Sequence, residues 1–491
     1  MHKLAIAFAC PLVLAIASLR LFAGGALILD PANPHYFLFR GTPTVLVGST
    51  EHYGAVVNLD FNYVPYLDEL ARDRLNLTRT WVGSYLEVRK DYDPQNGAYA
   101  IDKNTLAPEP GRFVCPWQRT SVPGAADGRN KFDLSKWNPG YFSRLRDFLR
   151  QAGKRGIVVE LDLFCSYYTD ELWSVSPLNA RNNVNGIGDV SRSQVYTLKH
   201  PDLLRAQDAM VRKIVREVRR FDNVYFEICN EPYYGSVRPE WQQHISNVIV
   251  GTEANGPSRH LIAQNVAQGS VKLEHPDPNV SIYNFHYSRP PDSVALNYHL
   301  NRVIGVNETG FDGQADATYR IQGWDFLMAG GALYNNLDFS FAAGHERGDF
   351  PYKSYTPGGG SAALRSQLGI LTHFMDELPL VDMRPESSVI QGSVAEGTSV
   401  RVLAEPGKVY AIYIHNGHVV EDAKPQYVVD DRRRQLGLVL ELPGASYDAE
   451  WIDTRTGEVI KRDHFAHAGG GVTVDSPPYS EDVALRIRSA K

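Results

Sequence analysis

Between about Val45 and Leu378, short β-branched and aromatic runs alternate with longer segments in which apolar residues recur at i, i+3 and i+4. The runs 45–50, 76–82, 156–164, 223–228, 260–267, 280–287, 302–308 and 332–341 are predicted as strands. Segments 61–75, 141–156, 201–221, 240–254, 318–330 and 362–378 are predicted as helices. Leu203, Ala206, Met210 and Ile214 mark the apolar face of one of them. Eight strands in βα alternation predict an α/β chain folded as a (β/α)8 TIM barrel, with its functional face at the C-terminal strand ends. The connection between the fifth and sixth strands is short and poorly helical, the weakest repeat.

Two connections are too long to be turns. Residues 84–137 follow the second strand and carry Tyr85 and Trp117; residues 165–200 follow the third and carry Tyr167, Tyr168 and Trp173. Both lie on the expected functional face, so they are expected to wall a cleft. After Leu378 the period changes. Runs 409–416, 436–443 and 449–453 alternate and are separated by turn residues, which predicts a small C-terminal β-sandwich. The expected division is a signal peptide over 1–25, a barrel with an N-terminal β extension over 26–380, and the sandwich over 381–491.

Composition narrows the partners. A net charge of −6 over 491 residues gives no basic footprint, so no nucleic-acid partner is expected. Neutral carbohydrate fits this balance better than a polyanion. At the N-terminus His2 and Lys3 precede the apolar run 4–19 and the small-residue stretch 21–26, the pattern of a cleaved export signal. The run is short for a membrane span and is flanked or broken by Arg20 and Pro11, so no stable membrane insertion is expected after cleavage, and the protein is expected to be secreted or periplasmic. Cys115, Cys165 and Cys229 show no CxxC spacing; no metal site and no cofactor are expected. Whether Cys115 pairs with Cys165 stays open at this level, as does the oligomeric state.

Two strings carry the chemistry. The runs 223-NVYFEICNEP-232 and 302-RVIGVNETG-310 each lead an apolar strand into a glutamate, Glu231 or Glu308, where the strand should end. Pro232 cannot continue a ladder, and Gly310 closes the second run. In a parallel barrel both glutamates would open on one pocket, and paired carboxylates across a pocket suit glycosidic cleavage. At the first strand end, 50-TEHYG-54 offers Glu51, His52 and Tyr53 to the rim, with His52 available to a sugar hydroxyl.

The Asn230-Glu231-Pro232 string ending strand four, with Glu308 ending strand seven, resembles the clan A retaining glycoside hydrolases, the (β/α)8 group that includes cellulase-like family 5. The resemblance spans roughly residues 40–380. It implies that Glu231 is the acid/base, kept protonated near neutral pH, and that Glu308 is the nucleophile. It further implies that Asn230 binds the sugar 2-hydroxyl and that Arg79 on strand two holds the nucleophile ionised. The stretch 284-NFHYSRPP-291 is similar to the His/Tyr-containing strand six of family 5, implying that His286 contacts nucleophile or sugar and that Tyr287 is a hydrogen-bond donor. The chain departs from family 5 in having Phe164 where a His is frequent, and Asn335, Asn336 and Asp338 where a stacking Trp is frequent. Trp324 is either a substitute platform or, more simply, core. Trp451, Asp453, Arg455, Thr456 and Gly457 also resemble the hairpin of apiosidase-like barrels with a collagen-binding-type C-terminal domain.

The expectation is therefore a secreted retaining glycoside hydrolase cleaving β-linked oligo- or polysaccharide by double displacement. A non-catalytic carbohydrate-binding barrel is the alternative, although it would be expected to lose one glutamate. A metal-dependent barrel hydrolase using Asp162, Glu227 and Glu231 is disfavoured. Strand five brings no carboxylate, no HxH ends strand one, and Glu227 should sit deep. Sugar, linkage and endo or exo action stay open.

Overall fold

The computed structural model describes residues 25–88, 101–256 and 259–490, so the expected export segment lies outside the described residues but for its last position. The eight expected strands all form: β1 (Leu46–Thr50), β2 (Leu77–Trp81), β3 (Val158–Asp162), β4 (Val224–Glu227), β5 (Ile262–Gln268), β6 (Ile282–His286), β7 (Val303–Thr309) and β8 (Leu333–Leu337). Each strand from β2 to β7 pairs in parallel with its successor, and β8 pairs with β1. A side chain helps close the β1–β2 seam. Asn76 donates its backbone N–H to Val47 O at 3.0 Å, accepts from Val47 N at 2.7 Å and donates to Val45 O at 2.8 Å.

Six of the helices follow the predicted periodicity and two short ones, α3 and α6, were not expected: α1 (Tyr63–Arg72), α2 (Pro139–Lys154), α3 (Asp170–Val175), α4 (Pro201–Val218), α5 (Pro239–Glu253), α6 (Asp292–Asn297), α7 (Asp316–Met328) and α8 (Ala362–Asp376). Proline opens α2, α4 and α5, where its missing N–H costs nothing. Asn62, Asn138, Thr169 and Ser361 cap α1, α2, α3 and α8 through their side chains. No helix is described between β5 and β6, where the periodicity was weakest.

A three-stranded N-terminal sheet, Ile28–Leu29, Phe37–Phe39 and Thr42–Thr44, ties to the end of the barrel opposite the strand C-termini. Arg40 there pairs with Asp222 at 2.7 Å, just before β4. At the other end of the chain, a six-stranded and a three-stranded antiparallel sheet pack around Ile412, Leu440, Trp451, Leu485 and Ile487 as a sandwich. Trp451 is wholly buried in that core, and Asp453–Gly457 forms a turn in which Gly457 (φ 76°) donates its N–H to Asp453 O at 2.8 Å. The residues behind the apiosidase-like resemblance are thus a turn anchored by a core tryptophan.

Helix α7 lies between barrel and sandwich, which is why every residue from Thr318 to Met328 is buried, the polar ones Thr318, Arg320, Gln322 and Asp325 included. Trp324 is wholly buried and stacks on Tyr413 of the sandwich at 5.3 Å; it is core. Arg320 pairs with Asp482 at 2.7 Å, and Tyr413 and Thr454 donate to the same carboxylate at 2.9 and 2.7 Å. Cys115, Cys165 and Cys229 are buried free thiols, so Cys115 and Cys165 do not pair. No helix among the described residues is long and apolar enough to cross a membrane.

Candidate active site

The barrel interior is polar. Arg79 on β2, 1% exposed, reaches Glu160 at 2.7 Å, Asp162 at 3.0 Å, Glu227 at 2.7 Å and Glu308 at 3.2 Å. Asn307 donates to Glu160 at 2.6 Å and Glu227 at 2.8 Å, and Asn284 donates to Glu227 at 2.8 Å. Glycine makes room for this layer. A Cβ on Gly305 would lie 2.4 Å from Asn284 Oδ1, and one on Gly48 would lie 2.4 Å from Asn335 Oδ1. Three carboxylates and one guanidinium cannot all be ionised at neutral pH without cost. Burial pushes Glu160 up to about 7 and raises Asp162 well above its usual value.

Above this layer, backbone irregularities aim the expected site residues into the mouth. Neighbouring residues of a regular strand face opposite sides. In β7 the pairing slips between Phe285–Val306 and His286–Glu308, so one residue is bulged. Asn307 therefore faces the deep layer while Glu308 also points inward. After β4, Glu231 takes φ 44°, a left-handed conformation uncommon for a residue with a Cβ, so it follows the inward-facing Asn230 into the same pocket. Tyr53 (φ 58°) and Tyr287 (φ 52°) at the ends of β1 and β6 do likewise. Left-handed residues clustered at one pocket are a mark of functional sites.

Glu308 accepts from Tyr53 OH at 2.9 Å, Tyr287 OH at 2.5 Å and Arg79 at 3.2 Å. Glu231 accepts from Tyr168 OH at 2.6 Å and Tyr233 OH at 3.3 Å, and lies 3.1 Å from His286 Nδ1. That same nitrogen is 3.5 Å from Glu308. One oxygen of Glu231 and one of Glu308 lie within 4.8 Å of each other. Asn230 is engaged on both sides: its Oδ1 accepts from Arg79 at 2.7 Å and its Nδ2 donates to Tyr168 OH at 2.9 Å. His52 does not touch either glutamate among the hydrogen bonds of the site; its Nε2 lies 3.9 Å from Glu87.

The protonation pattern differs from the sequence expectation. Burial alone would raise Glu231, but the hydrogen bond and charge of His286, with Tyr168 and Tyr233, hold it below the usual carboxylate range. Burial opposes the His286 cation, yet the charges of Glu308 and Glu231 raise it above the usual histidine value. His286 Nδ1 thus stands 3.1 Å from the carboxylate that was expected to carry the proton. Tyr53, Tyr287 and Tyr168 are raised well above 10 by burial, then by neighbouring charge, so they remain donors.

Arg79, Asn230, Glu231, His286, Tyr287 and Glu308 thus converge on one pocket, and His52 sits at its edge. Sequence reasoning passed over Tyr53, Tyr168, Tyr233 and Glu87 as site residues; Tyr53 and Tyr168 were visible only as members of a rim string and a long loop. Among the described residues, two groups have spacing suited to a cation, Glu231–His286–Glu308 and Glu160–Asp162–Glu227. In the second, Arg79 already bonds all three carboxylates. Asp162 and Glu227, imagined as metal ligands with Glu231, are that guanidinium's partners.

No protein-family model and no curated protein matches the chain. Solved structures share its fold at low identity. A Bacteroides vulgatus protein provisionally designated a glycoside hydrolase superposes with a TM-score of 0.62 and 14% identity, over 95% of this chain and 83% of that one. A glycoside hydrolase family 5 protein of the same organism gives 0.61 and 12%, over 95% and 93%. A further structure titled glycoside hydrolase gives 0.60 and 13%, over 95% and 97%. These likenesses extend over the barrel and the C-terminal β-domain together.

Proposed function

We propose that this chain is a glycoside hydrolase cleaving β-linked carbohydrate with retention of configuration, as the named function of its structural neighbours suggests. The observation that carries the reading is the carboxylate spacing. Oxygens of Glu231 and Glu308 within 4.8 Å suit direct attack, for which carboxyl separations of about 5–5.5 Å are usual; activating an intervening water needs about 6.5–9.5 Å. Glu308, hydrogen-bonded by Arg79 and two phenols, attacks the anomeric carbon as the bond to the leaving oxygen breaks. Glu231 delivers the proton to that oxygen, drawing it from His286 as substrate covers the pocket and further desolvates the carboxylate. Glu231 then takes a proton from water, whose oxygen attacks the anomeric carbon and releases Glu308. Export through the apolar run 4–19 belongs to the same proposal.

The test is a screen of aryl β-glycosides and of plant and microbial polysaccharides with wild type and Glu308→Ala. Loss of activity in the variant, and its rescue by azide to an α-glycosyl azide, is the expected result. Activity indifferent to the substitution would sink the mechanism.

A further inference from the structure

A third carboxylate faces the same pocket. Glu87 follows β2 on the loop that begins at residue 84, and two contact paths from the glutamate pair converge on it. From Glu308 the path runs to Tyr53, then to the neighbouring His52 ring at 5.5 Å, and from His52 Nε2 to Glu87 at 3.9 Å. From Glu231 it runs to Tyr168, then to the Tyr85 ring at 6.1 Å, whose OH donates to Glu87 Oε1 at 3.3 Å. Asn104 donates to the other oxygen. Tyr85 and Asn104 thus hold the carboxylate, which keeps 19% of its side-chain surface exposed, beside 12% for His52. Nothing in double displacement uses this group.

We propose that Glu87 and His52 form a sugar-binding subsite beside the reacting bond. It takes the hydroxyls of a neutral sugar residue and turns away a hexuronic acid. The proposal rests on the glycosidase reading and specifies its substrate class. A fixed carboxylate accepts from hydroxyls but repels a carboxylate placed in the same subsite. Among the described residues, the positive groups that border the glutamate pair and His52 are already committed. Arg79 is bound by four carboxylates, His286 lies between Glu231 and Glu308, and burial lowers His52 to about 4, leaving it neutral. Burial also pushes Glu87 up to about 7, Asn104 and Tyr85 opposing, with the charges of Glu308 and Glu231 adding to the rise. This is consistent with three carboxylates sharing one pocket.

The test compares wild type, Glu87→Gln and Glu87→Ala. At pH 8.5, above the raised value of Glu87, it measures kcat/KM on the neutral aryl β-glycoside that the screen identifies, and competitive inhibition by the matching free hexose and hexuronic acid. A hydrogen bond to a charged group predicts a loss of roughly 10- to 100-fold in kcat/KM on the neutral substrate. The preference for hexose over hexuronic acid in the inhibition constants should shrink at least tenfold in both variants. An unchanged preference, whether or not kcat/KM falls, overturns the subsite, because a merely structural role would weaken both sugars alike. Wild type inert on every glycoside would instead refute the glycosidase reading, so the two failures are distinguishable.

Discussion

Replacing Arg79 by Met tests how the site is held. The guanidinium bonds Glu160, Asp162, Glu227 and Glu308, and also Asn230, all 9% exposed or less. Glu160 already stands near 7 against an ordinary 4.5. At about 1.4 kcal/mol per pH unit, ionising it inside the barrel costs about 3 kcal/mol at pH 8. Arg79 is the attraction that limits this cost, so without it the deep carboxylates keep their protons to still higher pH. Breaking a buried ion pair by removing one partner typically costs about 3–5 kcal/mol. The sign of the pH dependence follows from raised carboxyl values: the folded state binds protons that the unfolded chain has released, and stability is lost as pH rises through the folded value. Urea unfolding should therefore show the Met variant destabilised by about 3–5 kcal/mol at pH 8 and by less at pH 5.5. Arg79→Lys, which keeps the charge but cannot span the partners, should fall between wild type and Met. A loss below about 1 kcal/mol, or the same loss at both pH values, would refute the view that one guanidinium balances this layer.

Tyr287→Phe removes one of three donors to Glu308 and should lower kcat by roughly 10- to 100-fold with little change in folding, read in steady-state kinetics and a thermal melt. Wild-type stability should fall by about 1–2 kcal/mol between pH 6.5 and 8.5, because Glu51 and Glu160, both held near 7 by burial, lose protons over that range; a flat profile in urea titrations would contradict those values. Trp324→Ala should cost about 3–5 kcal/mol and loosen the sandwich from the barrel, read as faster proteolysis between residues 376 and 399. A variant as protease-resistant as wild type would show that the polar contacts of Arg320 suffice.

The barrel was legible because its signal is local: each strand and each amphipathic helix states its own period, and the count of eight follows. The strand-end glutamates were legible for the same reason. The aim of their side chains was not. The bulge that lets Asn307 and Glu308 both face inward depends on the pairing of β7 with its neighbours, and the left-handed turn at Glu231 depends on what packs around it. The sequence does carry one trace that went unused. Asn-Glu stands at both strand ends, 230–231 and 307–308, and each asparagine binds the deep layer while each glutamate faces the mouth. Tyr168 and Glu87 were hidden for another reason: both lie on loops whose course is set by tertiary contacts.

That doubled Asn-Glu also bears on the protonation expected of Glu231. A strand-end glutamate considered alone suggests a buried acid, and burial alone would indeed raise Glu231. The deep layer holds Arg79 among four carboxylates, so little of its charge is free to serve Glu231, and no bond from Arg79 to Glu231 is among those of the described residues. The basic group of the mouth that does reach Glu231 is His286, seated 3.1 Å from Glu231 and 3.5 Å from Glu308. Its proton is drawn by both glutamates, and attack by Glu308 removes one of the two charges that hold it there. Attack thus weakens the hold of His286 on its proton at the stage when Glu231 must draw that proton and pass it to the leaving oxygen. On the proposed mechanism His286→Asn should therefore remove the source of that proton and slow formation of the intermediate more than its hydrolysis. Burst kinetics with an activated aryl glycoside read that difference directly. Equal slowing of both steps would place His286 outside the proton's path.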